Sequence, residues 1–340
     1  MIDSLREIYE KIQDEESKHI FDMLLSYAIT RNDVIFLDEL RKMNKEWTIS
    51  SRDEFSNMYG GQKIVIYGAG AYGRMTKLIL EQAGYSIYAF CGRDNNRVLD
   101  GIPVIKLEEL IADDEDYYYV LASRVYWKDM YEQLGTYYKF NHSNIFIPRT
   151  GAIIATCGEQ YLDCTQCSLE DGDFIVDCGM CEGETIVEMA KKCNYSKIIG
   201  IEANEYAYNK AKMNLRDYQN VELYMCAAWN QNGRQRFSAD GLSSKIENGD
   251  DYIETKKIDS ILDGRRASFI KMDIEGAERN ALEGARETIM KYHPKLAICI
   301  YHQVDDFVEI PRIILAIDNS YRFCFRHYNS NMWESVVYAF

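Results

Sequence analysis

Apolar residues at Leu5, Ile8, Tyr9 and Ile12 recur at helical spacing, and Ile20, Phe21, Leu24, Leu25 and Ala28 continue the pattern on a second face. This spacing predicts helices through residues 1–60, with Asp3 or Ser4 placed to cap the first. Such a segment packs on its own chain or on a homodimer mate, or offers a docking surface to a different partner. The period then changes. QKIVIYGAGAYGRMTKLILEQAGYSIYAFC joins an apolar run, a glycine turn, an amphipathic stretch and a second apolar run at about 86–91, which is the order of a βαβ unit. GIPVI, DYYYVLAS and NIFIP supply further strands up to Pro148. A half-Rossmann sheet complete by about Arg149 is expected, giving a domain over 61–149.

The alternation restarts over 150–340. DFIVD, KIIGIE, VELYMC, ASFIKMDI and KLAICIY read as strands with helical patterns between several of them, which implies one parallel sheet. YRFCFRHY and ESVVYAF follow with no helical stretch between them, as in a closing antiparallel hairpin. The fold class is α/β, with two Rossmann-like sheets behind a short helical segment.

Composition narrows the function classes. The 340 residues are 47% apolar with four prolines and 21 glycines, a globular balance. A formal net charge of −15 and the lack of a dense basic run exclude binding to a phosphate backbone, so no nucleic acid partner is expected. The amino terminus is charged throughout and lacks the apolar core of a secretory signal. No apolar run approaches the roughly 20 residues of a membrane span. Ten cysteines without a signal read as reduced thiols, so a cytoplasmic location is expected.

Gly68, Gly70 and Gly73 form G-x-G-x-x-G between a strand and a helix, the setting in which this motif carries weight. NAD would call for an acid at the end of the second strand, where Cys91 stands instead; Asp94, in the loop CGRDNNR, is the nearest alternative. Three readings stay open: a nucleotide or nucleotide-sugar module, a scaffold, and true NAD use.

Asp177, Gly179 and Gly183 form D-x-G-x-x-x-G at the end of the first strand of the third segment, and Glu202 ends the next. Small residues let backbone approach a ligand. A carboxylate at Asp177 suits a cationic amino group, and one at Glu202 suits both hydroxyls of a ribose. Together they point to S-adenosyl-L-methionine, which has both ends. The same stretch holds Cys178 and Cys181 downstream of Cys164 and Cys167. Two C-x-x-C pairs could be a metal knuckle, but their separation is shorter than the common zinc spacing, and zinc would pull Cys178 out of the turn.

The segment from about 158 to 340 resembles the FkbM family of S-adenosylmethionine-dependent methyltransferases. The resemblance rests on FIVDCGMCEGET, IIGIEAN, CAAWNQNG, TKKIDSIL and above all FIKMDIEGAERNALEGA. It implies a class I methyltransferase fold, which the closing hairpin also suggests, and methyl transfer to a hydroxyl of a sugar, a glycan or a natural product. It adds Ala227 of CAAWNQNG to the cofactor-binding set. Cysteine at Cys178 fits the family and Cys181 departs from it.

DIEGAE places Asp273 at the end of strand four and Glu275 two residues on, facing the cofactor crevice; the alternative for Glu275 is to cap the following helix. Lys271 is left open. His302 follows strand five, and Arg326 and His327 lie on the strand after it. The expectation is that His302 accepts the hydroxyl proton while Asp273 and Glu275 orient substrate and cofactor, with no metal assigned. A competing account makes the same three side chains ligands of a divalent cation, and either histidine could instead be structural. The functional alternatives are a nucleotide-sugar oxidoreductase or epimerase run from the GAGAYG domain, and a non-catalytic binding protein.

Overall fold

The computed structural model describes residues 2–340 apart from 44, 51, 94–96, 114, 138–143, 147–152, 241–242 and 247–250. The candidate Asp94 and the expected domain edge at Pro148 and Arg149 lie outside the described residues. The chain divides into two units, Met23–Gly158 with Tyr328–Trp333, and Met1–Asp22 with Glu159–His327 and Glu334–Phe340.

In the first unit the strands are β1 (Thr48–Ile49), β2 (Lys63–Tyr67), β3 (Ile87–Cys91), β4 (Arg97–Leu99), β5 (Ile102–Ile105), β6 (Tyr117–Leu121), β7 (Ile145–Phe146) and β8 (Ala155–Thr156). Six form a sheet in the order β4-β5-β3-β2-β6-β7, parallel except for β4, while β1 and β8 pair antiparallel on their own. β2 buries four residues in a row and β6 all five, the continuous apolar pattern of strands covered on both faces. Gly68 and Gly73 set the turn after β2: a Cβ on Gly73 would overlap the Gly68 carbonyl oxygen, so only glycine lets the helix Ala71–Gln82 press on the turn. The β4–β5 hairpin is absent from the sequence reading although Asp100-Gly101 signals it. Both residues have positive φ, +48° and +78°, as a two-residue hairpin turn requires.

The second unit carries β9 (Phe174–Cys178), β10 (Lys197–Glu202), β11 (Val221–Met225), β12 (Ala227–Ala228), β13 (Gly233–Asp240), β14 (Ser243–Ile246), β15 (Asp251–Lys256), β16 (Phe269–Met272), β17 (Lys295–Cys299), β18 (Phe323–His327) and β19 (Ser335–Ala339). Seven form a sheet in the order β11-β10-β9-β16-β17-β19-β18. It is parallel from β11 to β17, and β19 runs antiparallel to both its neighbours. This is a class I methyltransferase sheet. The chain leaves β9 toward one edge and β16 toward the other, so a crevice opens at the carboxyl ends of these two strands.

The helical face read from the amino terminus is buried here at Ile8, Ile12, Ile20 and Phe21, whose ring meets Phe307 and Phe325 edge-on at 5.3 and 5.4 Å. Tyr9 stays at the margin of that face, 36% exposed. The described residues of the polar stretch 237–251 contribute to a four-stranded sheet of order β12-β15-β13-β14. Its Ser, Gly, Asn and Asp residues have turn chemistry, and the pairing there comes from backbone ladders that leave no alternating apolar signal. Among the described residues no helix is long and apolar enough to cross a membrane.

Candidate active site

The crevice between β9 and β16 is a cleft of about 290 Å³ lined by Gly179, Cys181, Glu202, Ala227, Asp273, Glu275, Tyr301 and Glu334, among others. Strand ends bring these residues together. β9 hands the chain to Gly179, which has φ +77° and on which a Cβ would overlap the Asp273 carbonyl oxygen. The turn therefore presses directly on the backbone that follows β16. Glu202 ends β10, where Oε2 accepts from the Cys181 N–H at 2.9 Å and Oε1 from the Asn204 N–H at 2.7 Å. Burial raises its pKa against these two donors. One part of the lining is thus a fixed carboxylate beside small residues, among them Ala227 on β12.

Two of the anticipated cofactor residues stand outside this lining. Asp177 is fully buried within β9, with Lys271 Nζ 2.9 Å from its Oδ1. The ammonium also donates to the carbonyl oxygens of Gly179 at 2.6 Å and Cys178 at 3.4 Å. Burial opposes charge on Lys271, but the Asp177 and Asp273 carboxylates keep it protonated. The pair thus ties β9, its turn and β16 together from beneath. Gly183 caps the helix Glu184–Lys192 under the Leu215 side chain.

Behind Asp273 and Glu275 of the lining, carboxylates gather around the imidazole of His302, which itself stands outside the lining. His302 Nε2 lies 3.5 Å from Asp273 Oδ1 and 3.8 Å from Glu275 Oε2, while Nδ1 lies 3.0 Å from Glu278 Oε1. Burial opposes protonation of His302; Glu278, Asp273 and Glu275 outweigh it and raise the pKa to about 9. Asp273 is held on both oxygens, by Tyr161 Oη at 2.8 Å and Tyr301 Oη at 3.0 Å. Burial works against its charge, yet Lys271, His302 and Tyr161 keep its pKa lowered. Glu275 sits in a turn at φ +56°. The DIEGAE turn is closed by the first residue of the following helix, because Glu278 Oε1 accepts from the Ile274 N–H at 2.8 Å. Tyr161, Tyr301 and Glu278 escaped the sequence reading; of these, only Glu278 carried a signal, its position four residues after Ile274.

The remaining candidates lie elsewhere. His327 is buried, with Nδ1 2.7 Å from Ser335 Oγ, and Arg326 pairs with Asp14 at 3.2 Å. Cys178 is buried at the end of β9 and Cys181 lines the cleft. Cys164 and Cys167 are also buried, Cys167 Sγ lying 3.6 Å from the Ala339 carbonyl oxygen. In the first unit, Cys91 ends β3 with its thiol pushed up to about 12 by burial and by Glu108.

The methyltransferase FkbM from Methylobacillus flagellatus KT is 18% identical over 92% of this chain and 100% of that one, with a TM-score of 0.47. Aeropyrum pernix fibrillarin, a structure with natively bound S-adenosyl-L-methionine, is 11% identical over 51% of this chain and 69% of that one, with a TM-score of 0.34. No curated protein matches the chain. Residues 63–122 match the PglD N-terminal domain, and residues 177–331 match the methyltransferase FkbM domain, whose span holds Gly179, Glu202, Asp273 and His302. Residues 177–331 thus carry the match to the methyltransferase FkbM domain, and residues 63–122 the match to the PglD N-terminal domain.

Proposed function

We propose that the protein is an S-adenosyl-L-methionine-dependent O-methyltransferase acting on a hydroxyl of a sugar, a glycan or a natural product. The observation that carries this reading is the cleft, lined by the Glu202 carboxylate and the glycine turn together with Asp273 and Glu275, with His302 behind these two carboxylates. The cofactor fits this cleft at Glu202, which is half-buried and anchored by two N–H groups yet still faces the cleft, as an acceptor for two ribose hydroxyls must. When bound, the cofactor supplies a methyl group on an electrophilic sulfonium.

The chain's own part is positioning and proton handling. Gly179 brings backbone to the cleft wall, and Ala227 leaves room beside it. The buried Asp177–Lys271 pair fixes the turn that carries Gly179, so Asp177 acts on the cofactor site through that turn. Asp273, rigidly held by two tyrosines, and Glu275 orient the acceptor. The hydroxyl proton leaves toward this cluster, with His302 as its acceptor when the imidazole is neutral. Alignment of the acceptor oxygen alone can remove several kcal/mol of barrier, so the proton needs to leave only late. Residues 61–149 form the accompanying module for a nucleotide or nucleotide-sugar at Gly68, Gly70 and Gly73. Transfer of a labelled methyl group to a panel of glycan and polyketide hydroxyls tests the reading; cofactor binding without transfer to any hydroxyl would overturn it.

A further inference from the structure

The His302 cluster is not satisfied by a proton. A protonated imidazole offers two N–H groups, yet neither ring nitrogen makes a hydrogen bond of good geometry among the described residues. Nε2 stands 3.5 and 3.8 Å from the two carboxylates it faces. Glu278 is the sharper anomaly. Its side chain is 1% exposed; Oε1 takes the Ile274 N–H, and Oε2 has no partner among the described residues. A buried carboxyl oxygen left without a partner is costly. One donor atom each from Asp273, Glu278 and His302 lie mutually within 4.8 Å. Ligands at about 2.1 Å from one ion stand no more than about 4.2 Å apart, so a side-chain adjustment of about half an ångström lets a single ion reach all three.

We propose that Asp273, Glu278 and His302 form a divalent-cation site that takes Mn²⁺ or Mg²⁺. Two carboxylates and one imidazole, with no thiolate in the set, suit these oxygen-preferring ions over zinc. The ion provides what the cluster lacks: positive charge among three carboxylates and a partner for Glu278 Oε2. Tyr161 and Tyr301 hold Asp273 from behind, the kind of support that fixes a ligand's orientation. Only the role of the ion rests on the methyl-transfer reading. In that role the acceptor hydroxyl binds the ion and becomes more acidic; with His302 held as a ligand, Glu275, outside the ligand set, takes the proton in its place.

The test uses the full chain and Mn²⁺ as the probe, followed by the paramagnetic signal of the free ion, with S-adenosyl-L-methionine binding measured in parallel by calorimetry. The expected result is one Mn²⁺ per chain, weakened at least about tenfold in both Glu278→Gln and His302→Gln and unchanged in Glu170→Gln. In the wild-type chain, Mn²⁺ should also broaden the His302 imidazole signals ahead of those of the other four histidines, which keeps the test decisive if a variant fails to fold. Mn²⁺ remaining free at millimolar concentration, or bound equally well by folded Glu278→Gln, overturns the site. Loss of the cation with cofactor binding intact sinks this inference alone. Absence of cofactor binding sinks the methyl-transfer reading, and the Mn²⁺ result then stands by itself.

Discussion

Lys271 Nζ meets Asp177 Oδ1 at 2.9 Å inside the central sheet, with both side chains at or below 2% exposure. A pair this deep gains strength from its low-dielectric surroundings, and its partners become costly once separated. Lys271→Met leaves a buried carboxylate unmatched and should lower unfolding stability by about 3–5 kcal/mol. Replacing both partners by apolar residues of similar size should recover much of that. Urea midpoints at constant slope measure it. A single variant as stable as wild type would mean that the pair contributes little.

Glu202 is anchored by two backbone N–H groups and still faces the cleft. If it holds a ribose, Glu202→Ala removes charge-assisted bonds worth roughly 1.5–3 kcal/mol each. Calorimetry should then show cofactor affinity at least about tenfold weaker in a folded variant. Unchanged affinity would place the cofactor elsewhere.

These two sites differ in how far the sequence discloses them. Glu202, Asp273 and Gly179 are legible because parallel strands deliver their carboxyl ends to one rim, and each residue stands where an apolar run stops. Asp177 is legible as a residue but not as a role: a carboxylate at the last inward position of a strand reads as ligand-facing until Lys271, 94 positions on, is seen filling the space beside it. Tyr161 reaches Asp273 from 112 positions away, out of a stretch with neither helical nor strand period. Tertiary placement of that kind leaves no local trace. The sheet at 227–256 is hidden for the opposite reason, since its local composition argues for turns while its pairing is made by backbone.

Acid should weaken the contact between the amino-terminal helix region and β18. Burial pushes the Asp14 carboxyl up, but the Cys324 thiol, the Ser17 N–H and Arg326 together lower it to about 2. A folded-state pKa below the unfolded value of about 3.8 means that stability is fully present above pH 3.8 and is lost as pH falls through about 2. The stability difference between wild type and Asp14→Asn should therefore be constant near neutrality and close between pH 4 and 2. A difference independent of pH would show that Asp14 acts only by packing.

His302 is expected to matter for turnover rather than cofactor binding, because its neighbours are Asp273, Glu275 and Glu278 rather than Glu202. His302→Ala should lower methyl transfer by about 10² to 10⁴ while calorimetry finds S-adenosyl-L-methionine affinity unchanged. Wild-type-like turnover would return His302 to a structural role and leave positioning as the whole mechanism.

The GAGAYG turn should bind NAD poorly. Dinucleotide sites of this type fix the ribose with a carboxylate at the end of the second strand, and the residue there is Cys91, 1% exposed. Burial and Glu108 push its thiol up to about 12, so near neutral pH it is an uncharged, weak acceptor. The glycines remain suited to a closer approach by phosphate: Gly68 has φ +124°, and a Cβ there would crowd the Ala122 carbonyl. The helix Ala71–Gln82 begins just beyond with no side-chain cap, leaving its first N–H groups available to an anion. A nucleoside diphosphate sugar should consequently bind the full chain more tightly than NAD, and Gly68→Val should abolish that binding while leaving the methyl-donor site unaffected. Tight, stoichiometric NAD binding by calorimetry would overturn the prediction and revive the oxidoreductase reading.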